Sequence, residues 1–349
     1  MRIVIDINHP AHVHYFKHFI WKMQKQGHEI RITASEKDIT YQLLQAYGFD
    51  FIRIGTYGKS LFRKAINIVL LDLVMYNSVK KFSPDLFMGF GSIRAAHVSF
   101  LLQKPCILLE DTEHSIEQIL LYLPFIKKIL TPECFQRNMG CKHIKFNGYT
   151  ELAYLHPHYF TPNPSVLDEL GVGKNEPYIL LRFVSWNASH DIGQHGIQNK
   201  YELVKDLEQF GRVFISSEKP LPPELQQYSL TLTPEKIHDV LYFAQLYMGE
   251  GGTMATEAAL LGTPAIFVSS LAGTMGNFSE LETRYSLMFS YKNPESAQKK
   301  AIELLHHDNL KEEWKIKRER LLNDKIDVTA FLIDFIEHYR ETSNPGKAL

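Results

Sequence analysis

The 349-residue chain carries 45% hydrophobic and 22% charged residues and a formal charge of −1, a balance that excludes a disordered polyampholyte and gives no electrostatic reason to bind nucleic acid. Its length exceeds one ordinary core and suits two domains of roughly 150 residues each. The three cysteines, Cys106, Cys134 and Cys141, are too few and too irregularly spaced for a disulfide framework or a CxxC zinc site, which points to reduced thiols in a cytoplasmic setting.

The chain opens on a strand, Arg2 to Ile7, and lacks the basic segment, apolar run and small-residue cleavage site of a signal peptide. Further short apolar runs at 29–34, 50–54, 86–89, 106–109, 129–131 and 144–146 alternate with segments of helical period, the rhythm of βαβ units around a parallel sheet. Between Lys59 and Lys81, the residues Leu61, Phe62, Ile66, Val69, Leu70, Leu73 and Val74 fall at helical spacing, with Lys59, Arg63 and Lys64 at one end. That stripe suits either a core helix or a helix lying on a membrane surface. Its apolar stretch, Ala65 to Tyr76, is broken by Asn67 and Asp72 and is too short to span a bilayer.

Pro157, Pro162 and Pro164 mark the segment from Leu155 to Ser165 as a linker. The rhythm then restarts, with strands expected at 178–184, 212–216, 230–232, 246–249, 265–268 and 288–290. The stretch 295–339 reads as helical with a break near Asp324 to Asp327. The expected organisation is a first domain over 1–154, a second over 166–326, and a helix over 327–349 that crosses back to the first.

The most informative run is Leu246-Tyr-Met-Gly-Glu-Gly-Gly-Thr-Met-Ala-Thr-Glu257-Ala-Ala-Leu-Leu-Gly262-Thr-Pro264, a strand, a glycine turn, a helix and a glycine-then-proline stop. Gly251 and Gly252 allow the backbone close to a ligand, and a helix beginning near Thr253 aims its free N–H groups and positive dipole end there. That is an anion site. Glu257 lies one turn into the helix, where a carboxylate reaches a ligand hydroxyl pair such as a ribose. A tight βα turn with a solvated glutamate would read the same way. Arg182, at the carboxyl end of a strand, suits bidentate pairing with a diphosphate, or an ion pair with Glu218 or Asp191.

This run resembles the nucleotide-binding signature of the glycosyltransferase-B superfamily, especially that of the lipid II-forming N-acetylglucosaminyltransferase, and the UDP-N-acetylglucosamine 2-epimerases share its nucleotide helix. The resemblance implies an α/β fold of two Rossmann-like domains whose parallel sheets face across a cleft. It assigns Glu257 to the ribose, Gly251, Gly252 and Thr253 to the diphosphate, Ile237 to the base through its backbone, and Asn277 to the donor sugar. In the first domain it makes Asn8 to His14 and Asp85 to Ser92 acceptor-side loops, implicating Asn8, His14, Gly89, Gly91 and Ser92. His12 aligns with a proposed base, and Glu110 and Asp111 stand where that family carries acceptor-side polar groups, as acceptor contacts or alternative bases.

Two departures stand out. The first loop contains no glycine and is stiffened by Pro10. The second-domain strand ends in Arg182-Phe-Val-Ser185-Trp186, placing Ser185 where the transferase has a Gly-Gly-Ser turn. With Ser216-Ser-Glu218, this makes the chain most similar to a prokaryotic domain-of-unknown-function family within the superfamily. The expected activity is inverting transfer from a UDP-sugar to an unidentified acceptor in cell-surface polysaccharide or glycolipid synthesis, at the inner face of the membrane. A 2-epimerase-like enzyme and a non-catalytic nucleotide-sugar-binding protein are the alternatives, although the Gly-Thr-Arg-Pro-Glu start usual in the epimerases is absent. His9, His12, His14 and His18 lack the spacing of a zinc helix, and a preorganised anion cradle needs no metal, so neither metal nor cofactor is expected.

Overall fold

Strands covered by helices on both faces read as unbroken apolar runs, and LFMGF at Leu86–Phe90 and CILL at Cys106–Leu109 are buried along their whole length. The computed structural model describes residues 1–56, 61–184, 197 and 199–343, apart from the side chains of 61–66 and 340–343. The chain forms two compact units, Met1–Tyr159 with Ile326–Leu349, and Phe160–Lys325.

In the first unit, β1 (Arg2–Ile7), α1 (Pro10–Lys25), β2 (Glu29–Ala34), α2 (Thr40–Ala46) and β3 (Phe51–Arg53) build one half of a sheet. After α3 (Leu61–Val79), the other half follows as β4 (Leu86–Phe90), α4 (Ile93–Leu101), β5 (Cys106–Leu109), α5 (Ile116–Tyr122), β6 (Lys128–Pro132) and β7 (His143–Phe146), closed by the short α6 (Leu152–Leu155). All seven strands are parallel in the order β3-β2-β1-β4-β5-β6-β7, so the order reverses between β1 and β4. Loops leaving the carboxyl ends of those two strands form the crevice in which such sheets hold ligands.

The second unit contains α7 (Ser165–Leu170), β8 (Tyr178–Phe183), α8 (Lys200–Leu207), β9 (Arg212–Ser217), α9 (Ile237–Phe243), β10 (Leu246–Gly249) and α10 (Gly252–Leu261). It continues with β11 (Ala265–Val268), α11 (Gly276–Thr283), β12 (Met288–Tyr291), α12 (Pro294–Leu305) and α13 (Leu310–Asp324). Its parallel sheet has five strands in the order β12-β11-β10-β8-β9. The strand expected at Leu230–Leu232 does not form. Ser229 makes one isolated bridge to Ile215, and Pro234 then opens a tight turn before any ladder extends. The C-terminal helical stretch breaks twice, with α12 ending before α13 begins at Leu310.

The chain returns to the first unit as α14 (Val328–Ser343). Asp327 caps this helix by accepting from Ala330 N–H at 2.9 Å, and its other oxygen accepts from Tyr159 Oη at 2.8 Å. Val328, Leu332 and Ile336 are fully buried, and Thr329 Oγ1 donates to the Ala153 carbonyl at 2.7 Å.

Candidate functional site

In the first unit the crevice is organised by a buried ion pair. Asp6, at the end of β1, receives Arg94 Nη2 at 3.0 and 3.1 Å, Thr33 Oγ1 at 2.7 Å and Ser92 Oγ at 2.6 Å, and both charged side chains are fully buried. Arg94 also holds the side-chain oxygen of Asn8. Ser92 caps α4 by accepting from Ala95 N–H at 3.1 Å. Of the expected acceptor-loop residues, Asn8 and Ser92 are therefore parts of this scaffold. Asp6 and Arg94 were not singled out from the sequence, because the pair joins residues 88 apart in the chain.

His12 lies in the first turn of α1, its ring 4.9 Å from Phe90 and half-buried. Burial, then the nearby His9 and Lys37 charges, hold it well below the usual histidine range, so the ring is neutral at pH 7. Its Nδ1 accepts from Asn8 N–H at 3.3 Å, which leaves the proton on Nε2. His12 thus presents a donor rather than a basic nitrogen. His14 is not part of this group: it is buried against Tyr154 and 3.2 Å from Tyr47 Oη.

The carboxylates at the end of β5 form a pair. Glu110 is buried, accepting from the N–H groups of Asp111 and Thr112 at 3.1 and 3.0 Å and from Tyr122 Oη at 2.8 Å. Gly91, at φ +50°, leaves room for it, since a Cβ there would stand 2.9 Å from Glu110 Oε2. Gly89 has a Cβ position only 2.9 Å from Ser92 Cβ. Asp111 is half-buried and accepts from Thr150 Oγ1 at 2.5 Å and Thr112 Oγ1 at 3.0 Å. Burial, then the charge of Asp111, pushes Glu110 up to about 7, and burial pushes Asp111 up to about 6.

A carboxyl whose folded value lies above its unfolded one takes up a proton on folding between the two, so Glu110 costs stability increasingly as pH rises from about 4.5 to 7. Glu110→Gln is expected to shrink the stability loss between pH 5 and pH 8 by roughly 3 kcal/mol. Urea unfolding of both proteins at the two pH values checks this, and parallel losses would remove the buried-carboxyl account.

In the second unit the glycine turn opens a helix directly after a strand. Gly251 is the N-cap of α10, and among the described residues no side chain caps that end. A Cβ on Gly252 would stand 2.8 Å from Phe278 Cζ, and one on Gly249 would stand 2.7 Å from the Arg182 carbonyl oxygen, so packing as well as ligand approach selects glycine. Thr253 follows in the first turn. Glu257 is buried one turn further, and its Oε1 lies 3.0 Å from Nε2 of His238 on α9, equally buried. Ile237 begins α9 and so brings its backbone beside the same pair.

Other expected contacts are already committed. Arg182 pairs with Glu218 at 3.1 Å and donates to Ser216 Oγ at 2.8 Å, the ion-pair arrangement weighed for it above. Asn277 is buried at the start of α11, its Oδ1 accepting from Phe278 N–H at 2.9 Å. Ser185 and Asp191 lie outside the described residues. Glu250, unremarked in the sequence, accepts from Val184 N–H at 2.9 Å and Ile197 N–H at 2.7 Å beside the turn.

These two units match solved structures over their whole length. UDP-GlcNAc 2-epimerase from Neisseria meningitidis, bound to UDP-GlcNAc, superposes with a TM-score of 0.70 at 12% identity, covering 97% of this chain and 100% of that one. The calicheamicin glycosyltransferase CalG4 gives 0.60 at 14% identity over 100% and 99% of the two chains. At such identities the likeness establishes the glycosyltransferase-B fold. An uncharacterized protein of Methanocaldococcus jannaschii is 28% identical over 275 residues, 75% of this chain and 80% of its own length. The family described as a protein of unknown function (DUF354) matches residues 1–317, and the chain belongs to that family.

Proposed function

We propose that the protein is an inverting glycosyltransferase that takes a UDP-sugar donor at the amino end of α10. The observation that carries this reading is the helix start at Gly251 and Gly252, uncapped among the described residues, with the carboxylate of Glu257 held by His238 one turn away. The helix end suits a diphosphate and Glu257 a ribose, without a metal. Asp111 is the better base for an acceptor hydroxyl, because it is half-buried whereas Glu110 is buried. His12 then donates a hydrogen bond from Nε2. With Asp111 at about 6, turnover rises as pH climbs through that value.

Calorimetric titration with UDP, UDP-N-acetylglucosamine, GDP and CMP tests the donor. Saturable binding of UDP or its sugar supports the reading, and absence of binding by any of the four removes it. The epimerase fold likeness favours a second reading, in which the bound sugar is isomerised instead of transferred. Incubation with UDP-N-acetylglucosamine and no acceptor separates the two by its product.

The acceptor is proposed to be lipid-linked, met at a cytoplasmic membrane surface. Among the described residues no helix is long and apolar enough to cross a membrane. The apolar stripe of α3 instead has two sides. Leu71, Met75 and Val79 face the core, while Val69, Leu70, Leu73 and Val74 are exposed, Val69 at 61%. Phe100 and Leu101 on α4 and Ile116, Leu120 and Leu121 on α5 are exposed as well. The exposed lysines Lys80, Lys81, Lys104 and Lys127 precede strands β4, β5 and β6 and suit anionic headgroups. Vesicles rich in phosphatidylglycerol are expected to sediment with the protein, and Leu70→Glu with Leu120→Glu to abolish this. Equal sedimentation of the double variant would sink the surface.

A further inference from the structure

The end of the second sheet opposite α10's amino end carries a group of cations that the proposed reaction does not use. A cavity of about 360 Å³ opens where α9 and α10 end, with Lys174, Lys311, Lys315 and Arg318 in its wall. Lys311 Nζ donates to the Tyr242 carbonyl at 2.8 Å and to Thr263 Oγ1 at 3.2 Å, both neutral acceptors. An ammonium has three protons, so one is left for a ligand. Arg318 Nε donates to the Leu260 carbonyl at 2.8 Å, and its stem lies over Gly262, where an added Cβ would meet Cδ at 2.9 Å. Among the described residues no hydrogen bond engages its two terminal nitrogens.

Neither cation is paired with a carboxylate among the described residues, and the acids of the wall lie against other cations. Glu176 accepts from Gly173 N–H at 2.9 Å and faces Arg212 at 3.9 Å, while Glu312 meets Lys315 at 3.4 Å. Capping the last carbonyls of α9 and α10 accounts for one donor of each residue. It does not account for a half-buried ammonium held by neutral acceptors at the wall of a cavity, an arrangement that costs solvation. A planar guanidinium fork beside a point-charge ammonium is suited to a tetrahedral oxyanion.

We propose that this cavity is a second anion site of the protein, taking a compact phosphate- or sulfate-bearing ligand between Lys311 and Arg318. The site does not depend on the donor assignment made for α10. Burial has pushed Lys311 down to about 7, so at pH 8 the amine is mostly neutral, and an anion beside it draws a proton back. Binding is therefore accompanied by proton uptake.

Calorimetry with sodium sulfate at pH 8 tests this, in two buffers of different ionisation enthalpy, because sulfate itself does not titrate there. The expected result is saturable binding with net uptake of a proton, weakened at least tenfold, with the uptake lost, in Lys311→Met. Absence of saturable binding, binding without proton uptake, or equal binding by Lys311→Met would overturn the proposal. Should Lys311→Met not fold, Arg318→Gln and the wild-type proton uptake carry the same decision. Inorganic phosphate and glucose 6-phosphate are expected to displace sulfate, and failure of both counts against the site. Tighter binding of the ester assigns it to a phosphorylated metabolite, and equal or tighter binding of phosphate assigns it to the free ion.

Discussion

Glu257→Ala is expected to weaken UDP binding by a hundredfold or more. A buried carboxylate accepting from two ribose hydroxyls makes charge-assisted bonds of about 1.5–3 kcal/mol each, and a loss near 3 kcal/mol corresponds to roughly a hundredfold in affinity. Glu257 is 3% exposed and fastened to His238, so its geometry is set before the ligand arrives. That preorganisation is what makes the expected loss large. Glu257→Gln retains one acceptor and should lose less. The measurement is calorimetric titration of both variants after a thermal melt has established that each is folded. Affinity for UDP within threefold of wild type in Glu257→Ala would remove the ribose role even if the protein binds the nucleotide.

Arg94→Met is expected to cost about 3–5 kcal/mol of stability, because it strands the Asp6 carboxylate in a place without water. For a chain of this size that lowers the thermal midpoint by roughly 5 °C. Asp6→Leu combined with Arg94→Met should recover most of the loss, since a buried pair removed together leaves no orphan charge. Thermal melts of the single and double variants check both statements. A single variant within 2 °C of wild type would mean that water reaches Asp6. The prediction also bears on the site, because Arg94 holds Asn8 in the loop that carries His12.

Local patterning carried most of the fold. The alternation of short apolar runs with helical segments is a property of neighbouring residues, and both sheets appear where it placed them. Leu230–Leu232 failed because an apolar run is necessary for a strand but needs a free edge long enough to pair along, and Pro234 cuts that short. The α3 stripe was ambiguous for a related reason: periodicity shows that a helix has an apolar side, and α3 has two. The glycine turn was legible because its chemistry is backbone chemistry written in consecutive residues. The partners of the charged groups were not. His238 meets Glu257 across 19 positions, Arg94 meets Asp6 across 88, and Glu250 reaches Ile197 across 53, and no local signal announces which acid finds which base. His14 shows the converse error, since its place in a promising loop said nothing about which side of α1 it would occupy.

The return of the chain as α14 sets an order of events during synthesis. Residues 160–325 form one continuous unit, whereas the first unit takes its last helix from residues made after all of them. Val328, Leu332 and Ile336 are fully buried there, so until the ribosome has passed them the earlier unit exposes an apolar groove along α1 and α6 that has nothing to fill it. The later-made unit is thus free to mature first, reversing the usual amino-to-carboxyl succession, and the nascent first unit is the stretch of this polypeptide with the longest need of a chaperone.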